Sequence, residues 1–308
     1  MRYNAGVQNT GSGSVSVTGS AVGTGARVYS GGETAGTGAA VAGAGGDRGA
    51  DIGIITILSE ETQAMARVLL AAAGELRERT HEGGFRCTEA DIEIGHRRLR
   101  TVLTQADSPG QRPAVISFER LRQAYAPEII ALVGIAGGIH PALRLGDVVI
   151  AHEVIYYDLR KEKDGETLRR GQTRPLPGTV RRAVNHFFSR EGEPWNTYIG
   201  HPDGSVRECS VLPGPIGSGE AVVADRNSRI RQYVSDFNDK VLCLETEAGG
   251  LAEAFHQMAV GPDVSGWLVV RGISDLADTE KDDTYHDIAS RHAAVVLLRI
   301  LPDLFPQD

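Results

Sequence analysis

The sequence predicts an α/β layered domain with a largely buried sheet, preceded by a glycine-rich tail, and three observations carry that reading. Short runs of apolar, β-branched residues recur between residues 51 and 301, each bounded by glycine or polar residues, as buried strands are. Stretches of helical length separate them, and strands alternating with helices over this distance pack as layers. The first 50 residues differ in kind. They hold 14 of the 38 glycines, many Ser, Thr and Ala, and almost no large apolar side chains. Such a segment buries too little surface to offset its backbone entropy. Residues 1–50 therefore read as a tail and 51–308 as one domain.

Within the domain, Ile52–Leu58 (IGIITIL) is short and apolar enough for a buried strand. Ser59-Glu60-Glu61 then offers an N-cap and first-turn acids for a helix through Ala73. Two fainter strands follow around Ile92–Ile94 and Arg100–Thr104, then a helix near Ala114–Gln123. Ile129–Val133 is a second buried strand and ends in a glycine-rich turn, Gly134–Gly138. Val148–Ile150 makes a further strand, with Val154–Tyr157 close behind. Beyond a polar, basic middle section, Val211–Gly217 and Ala221–Val223 read as short strands flanking Gly219. Val241–Leu244 leads into the acids of ETEAGG and a helix through Met258. Trp267–Ile273 is the last buried strand and Tyr285–Leu301 the closing helix.

Composition narrows the function classes. Thirty-two Lys and Arg against 40 Asp and Glu give a net charge of −8, which argues against binding a nucleic-acid polymer. Three scattered cysteines with no C-x-x-C pair suit a reducing cytoplasm better than a disulfide framework. No apolar run approaches the ~20 residues that span a bilayer, and no N-terminal basic-then-apolar signal is visible. The expectation is a cytoplasmic protein without membrane contact. The tail's partial alternation over Val15–Val22 leaves two readings open: a flexible tail, or a small β-type element that pairs with a protein partner or with copies of itself. Neither phosphate-loop glycine motif occurs.

In open α/β sheets, ligands sit beyond the carboxyl ends of the strands. Four polar or glycine-rich clusters follow apolar strands here: Ser59-Glu60-Glu61, Gly134–Gly138, Glu245-Thr246-Glu247 and Ser274-Asp275. Each alone reads equally as helix-dipole acids, tight packing or a turn. Together they describe a crevice lined with carboxylates and bared backbone.

The segments DIGIITILSEETQAM, ALVGIAGGIHPALRLGDVVIAHEVIYYD, GSGEAVVAD, CLETEAGG and VVRGISDLAD resemble, in order, the motifs of the nucleoside phosphorylase/nucleosidase superfamily. The likeness is greatest to its methylthioadenosine/S-adenosylhomocysteine nucleosidase branch, covers residues 51–301 and weakens over 159–210. It implies a nucleoside phosphorylase-like fold, a single three-layer α/β/α domain with a central mixed sheet, working as a homodimer whose partner closes the 5′ side of the pocket. It also implies roles. Glu61 would activate the hydrolytic water, Asp275 would protonate the departing purine, and Glu247 would grip ribose hydroxyls beside Thr246. Gly137 and Gly138 would let backbone approach sugar and water, and Val222 and Val223 would line the base pocket. Many relatives have an aromatic residue where Val222 stands and Met where Thr246 stands.

The residue types fit that chemistry. Cleaving an N-glycosidic bond passes through an oxocarbenium-like sugar, so one group must neutralise the leaving base and another must present water. A buried carboxylic acid can do the first and a carboxylate the second. No metal or cofactor is needed, and the histidines show no H-E-x-x-H spacing. Phosphorylases of the resembled superfamily carry cationic phosphate clamps; here Leu58-Ser59-Glu60-Glu61 and Leu132-Val133-Gly134 stand at those places, which favours water as nucleophile. The expected function is a purine, chiefly adenine, nucleoside or nucleotide N-ribohydrolase. A phosphorylase and a catalytically silent nucleoside-binding scaffold are the alternatives. The basic stretch with Arg160, Lys161, Lys163, Arg169, Arg170, Arg174, Arg181 and Arg182 is either a solvated surface or a contact for a substrate 5′-phosphate. The Tyr156-Tyr157-x-x-x-Lys161-Glu162 continuation resembles nucleosidase-like domains that serve as effectors in prokaryotic signalling and defence.

Overall fold

The computed structural model describes residues 49–258, 264–278 and 285–306, so the tail with its Val15–Val22 alternation lies outside the described residues. In chain order the elements begin with β1 (Ile52–Thr56), α1 (Ser59–Ala73), β2 (Arg77–Thr80), β3 (Arg86–Ile94), β4 (Arg97–Gln105), α2 (Gln111–Tyr125), β5 (Ile129–Gly138) and β6 (Val148–Tyr156). The middle section supplies β7 (Arg160–Lys163), β8 (Glu166–Arg169), β9 (Gln172–Pro175), α3 (Gly178–Glu191), β10 (Trp195–Gly200), β11 (Val206–Ser218) and α4 (Arg229–Phe237). Then come β12 (Cys243–Glu245), α5 (Ala248–Met258), β13 (Gly266–Asp275) and α6 (His286–Leu304).

Eleven strands form one mixed sheet. Its path runs β10-β11-β6-β13-β5-β1-β4-β3-β2, with β12 joined to β11 and β5, and β9 to β6. The centre follows from sequence. Ile52, Ile54, Ile130, Leu132, Leu268 and Val270 are fully buried, which only strands covered on both faces require. The strands β13, β5, β1 and β4 run parallel. The antiparallel β13–β6 pair makes the sheet mixed. Helices α1, α3 and α6 pack together on one side and α2 and α5 on the other, giving the expected three layers.

Several boundaries differ from expectation for physical reasons. Gly134–Gly138 is no turn but the last half of β5, because bare backbone still pairs with Arg271–Asp275 of β13. Val148–Ile150 and the second expected strand merge into one, β6, which ends at Tyr156 and leaves Tyr157 outside. Ala221–Val223 is a loop, not a strand. The N-cap of α1 is Leu58 rather than Ser59, since Glu61 reaches back to the Leu58 N–H. The short polar strands β2, β7, β8 and β9 carry no apolar alternation to announce them. Helix α3 does carry a signal: Val180, Val184, Phe187 and Phe188 share one buried face.

The sheet and its helices are tied near the future site by a buried histidine. His292 of α6 is fully buried; its Nδ1 lies 2.6 Å from the Gly146 carbonyl and its Nε2 2.9 Å from His201 Nε2. Gly146 in turn donates its N–H to the Ile273 carbonyl, and Ile273 donates to the Asp147 carbonyl (both 2.8 Å). Burial lowers the His292 pKa to about 4, against 6.5 ordinarily. The unfolded chain therefore takes up this proton first, and stability present above pH 6.5 drains as pH falls towards 4, by about 3 kcal/mol for this one group. Urea unfolding between pH 7 and pH 4 will show that loss, and His292→Asn, less stable throughout, will show a shallower pH slope.

Candidate active site

The carboxyl ends of β5, β12 and β13, with the turn after β1, converge on one cleft. Its walls include Glu61, Gly137, Val222, Val223, Thr246, Glu247 and Asp275. Of the eight residues to which the resemblance gave a site role, Gly138 alone is absent from the lining. It faces Ile273, Leu276 and Leu143 instead.

Glu61 leaves the first turn of α1 and folds back over the end of β1. Its Oε2 accepts the N–H groups of Ile57 (2.8 Å) and Leu58 (2.9 Å), and its Oε1 accepts that of Ile135 (2.8 Å). Burial raises its pKa, while the Arg271 charge and the three N–H groups act in the opposite sense. The side chain is thus both a helix-start acid and a fixed group of the cleft. The two readings coincide.

Arg271 organises the other side. It stands in β13 opposite Gly134 and is 1% exposed. Its Nη2 donates to Glu245 Oε2 and, at 2.9 Å, to Glu247 Oε2. Burial alone would lower the arginine's pKa, but Glu245, Glu247 and Glu61 raise it, so the guanidinium stays charged. Glu245 is itself raised by burial, and its Oε2 also caps α5 through the N–H groups of Glu247 (3.1 Å) and Ala248 (2.9 Å). Glu247 Oε1 accepts from the Gly110 N–H (3.0 Å) and from the Thr246 hydroxyl. Any ligand entering here would meet a carboxylate already held in place.

Asp275 ends β13 beside Gly137, with which it pairs across the sheet. Its Oδ1 accepts the Ala277 N–H at 2.8 Å and the Ser274 hydroxyl lies 3.2 Å from Oδ2. A side chain on Gly137 would meet Asp275 Oδ1 at 2.9 Å, so the glycine is needed for close approach. The turn after Asp275 is held by Arg231 of α4, which donates to the Leu276 carbonyl (2.9 Å) and to that of Ile139 (3.0 Å). Val223 is buried where the loop before α4 meets the cleft, and Val222 is 69% exposed at its mouth.

Two further residues of the site escaped the sequence reading: Arg271, buried behind the cleft, and His286, in its lining. Arg271 was visible as a lone charge in WLVVRGI, and a charge inside a buried strand always demands a partner. His286, 3.3 Å from Glu60 through Nδ1, had no such signal. The basic middle stretch does not reach the cleft, which corrects its reading as the phosphate contact within this chain. Arg160 and Arg169 pair with Asp158, Arg174 pairs with Glu253, and β7 and β8 form a separate exposed hairpin. Among the described residues no Lys or Arg lines the cleft. All three cysteines are buried and unpaired. No described helix is long and apolar enough to cross a membrane.

Fold and cleft define a class: a mixed α/β sheet with a carboxylate-rich crevice at its strand ends. The chain belongs to the phosphorylase superfamily, whose family model matches residues 51–302. Among curated proteins it is similar to ATP nucleosidase Cap17 of Escherichia coli, 26% identical over 264 residues. That match takes in 79% of this chain and 49% of the relative, so the chain spans about half the length of that protein. It is also similar to 5′-methylthioadenosine/S-adenosylhomocysteine nucleosidase of Actinobacillus succinogenes, 26% identical over 82% of this chain and 99% of the relative. Among solved structures, the corresponding nucleosidase of Colwellia psychrerythraea, in complex with adenine, shares the fold with a TM-score of 0.64 at 17% identity, covering 84% of this chain and 97% of that one.

Gly134 provides a direct check on this geometry. A Cβ there would collide with Glu61 Oε1 and Arg271 Nη1 together. Gly134→Ala should cost about 1–3 kcal/mol in stability, measured by denaturant unfolding.

Proposed function

We propose that the chain is a purine, chiefly adenine, nucleoside or nucleotide N-ribohydrolase, cleaving the N-glycosidic bond with water. One observation carries the reading: Glu61, fixed by three backbone N–H groups, and Asp275, fixed at the end of β13, share one cleft that Glu247 and Thr246 also line. Glu61 takes a proton from water as the water attacks the anomeric carbon. Asp275 supplies a proton to the purine as it leaves. Glu247 accepts the sugar hydroxyls and faces the positive charge that develops on the ring.

Water rather than phosphate is the nucleophile this cleft supports. The nearest cation, Arg271, is already engaged by Glu245 and Glu247, and the carboxylates of the lining would repel an anion. The similarity to an ATP nucleosidase and to methylthioadenosine/S-adenosylhomocysteine nucleosidases supports adenine as the base and leaves both nucleosides and nucleotides within the substrate class. The same reading takes the protein as a homodimer and gives the tail a protein partner; sedimentation equilibrium of the full chain at twice the monomer mass is the expected result for the first.

The direct test is chromatographic base release in phosphate-free buffer from methylthioadenosine, adenosine, AMP and ATP. Free adenine and free sugar are expected. Asp275→Asn and Glu61→Gln should each lower the rate by about 10²–10⁴-fold with the fold intact. Because burial raises Glu61, the acid limb of the pH–rate profile should lie above 4.5, the ordinary glutamate value. A strict need for inorganic phosphate would make the protein a phosphorylase, and tight binding without product would make it a scaffold.

A further inference from the structure

The candidate active cleft ends at His286, and a second cleft begins on the other side of that residue. His286 lines the first; its partner Glu60 lines the second. Glu60 and Glu61 are neighbours in the first turn of α1, so the two clefts share that turn as their dividing wall. The second has a volume of ≈ 420 Å³.

Its distinctive feature is a convergence of arginines from three elements: Arg67 of α1, Arg207 of β11 and Arg291 of α6. Arg291 spends its Nε on the Gly200 carbonyl (2.7 Å), which fixes the guanidinium and leaves both terminal nitrogens available. The side chains of Arg67 and Arg207 are exposed and make no hydrogen bond or ion pair among the described residues. Acids also line this cleft, but two have partners. Glu60 faces His286, and Asp203 Oδ1 accepts the N–H (2.9 Å) and hydroxyl (2.6 Å) of Ser205. Asp287 sits in the first turn of α6, where the helix dipole favours it. One wall is rigid, because His201 leans on fully buried His292, which is anchored to Gly146.

We infer that this second cleft receives the 5′-phosphates of a nucleotide substrate, with Arg67, Arg207 and Arg291 as its donors. The inference rests on the N-ribohydrolase reading of the first cleft. If Asp275 faces the base, Glu61 the anomeric carbon and Glu247 the sugar hydroxyls, then the remaining end, at Leu58 and His286, is left for the 5′ carbon. A bare nucleoside stops there. A phosphate chain continues past His286 over the first turn of α1, where planar guanidinium groups match phosphate oxygens. Among the described residues the first cleft offers no Lys or Arg to such a chain, and Arg160, Arg169 and Arg174 of the basic middle stretch pair elsewhere, so the arginines of the second cleft supply what both lack.

The test uses the full chain and the double variant Arg67→Ala/Arg207→Ala, whose changes fall on exposed side chains outside the catalytic cleft. Base release is followed from ATP, AMP and adenosine. The expected result is a kcat/KM for ATP lowered by about 100-fold, chiefly through KM, with adenosine unchanged and AMP between them. Arg67→Lys/Arg207→Lys should recover part of the loss. Equal losses for ATP and adenosine, or none for ATP, overturn the subsite while leaving the N-ribohydrolase reading intact. Calorimetric titration with tripolyphosphate tests the subsite without turnover. Binding to the wild type that disappears in the double variant supports it even where no substrate is cleaved, which would overturn only the hydrolase reading. No binding to the wild type overturns the subsite.

Discussion

A single buried guanidinium holds the centre of this molecule together. Arg271 lies in the middle of the sheet with Glu245, Glu247 and Glu61 around it, where an isolated charge of either sign would be costly. Its presence lets three carboxyl groups be packed at the ends of β12 and β1 without filling the region with like charge. The price is geometric: the neighbouring strand must carry no side chain at Gly134, because Glu61 and Arg271 occupy that space. The arginine, the glycine and the three acids are one structural unit drawn from four elements.

That unit explains why the site can be acidic and yet ordered. Each carboxylate is held by backbone N–H groups at a helix start or strand end: Glu61 by Ile57, Leu58 and Ile135, Glu245 by Glu247 and Ala248, Asp275 by Ala277. Positions fixed by backbone cost little reorganisation when a ligand arrives. The LGDVV segment serves the same end from behind. Through Gly146 and Asp147 it clamps Ile273, two residues before Asp275, and His292 pins the clamp to α6.

The loop and helix after β11 form the other half of the enclosure. A small apolar cluster of Ile139, Tyr157, Val223, Val234, Leu244 and Ala277 lies under it, separate from the main core. Arg231 joins this cover to the turn after Asp275 by hydrogen bonds to backbone carbonyls. A cover so attached holds the turn after Asp275 and borders the cleft at once, and it leaves the exposed Val222 at the rim.

Much of this was legible in the amino-acid sequence. Buried strands such as Ile129–Val133 and Trp267–Ile273 announce themselves because burial on both faces demands continuous apolar residues. The acids at strand ends stand out only jointly, because four polar or glycine-rich clusters follow apolar strands in one chain. The sequence by itself determined the fold class, the family resemblance and the identity of Glu61, Glu247 and Asp275 as the groups to watch. Only the tertiary structure decided how they are balanced. Charge pairing between Arg271 and the acids spans up to 210 residues of chain, and no local period records it. The same holds for the basic middle stretch, which read from sequence as either a solvated surface or a phosphate contact: Arg160 and Arg169 pair with Asp158, and Arg174 with Glu253. Arg67, Arg207 and Arg291, unremarkable along the chain, converge because α1, the start of β11 and α6 border one cleft: proximity in space is set by packing, and sequence distance carries no trace of it.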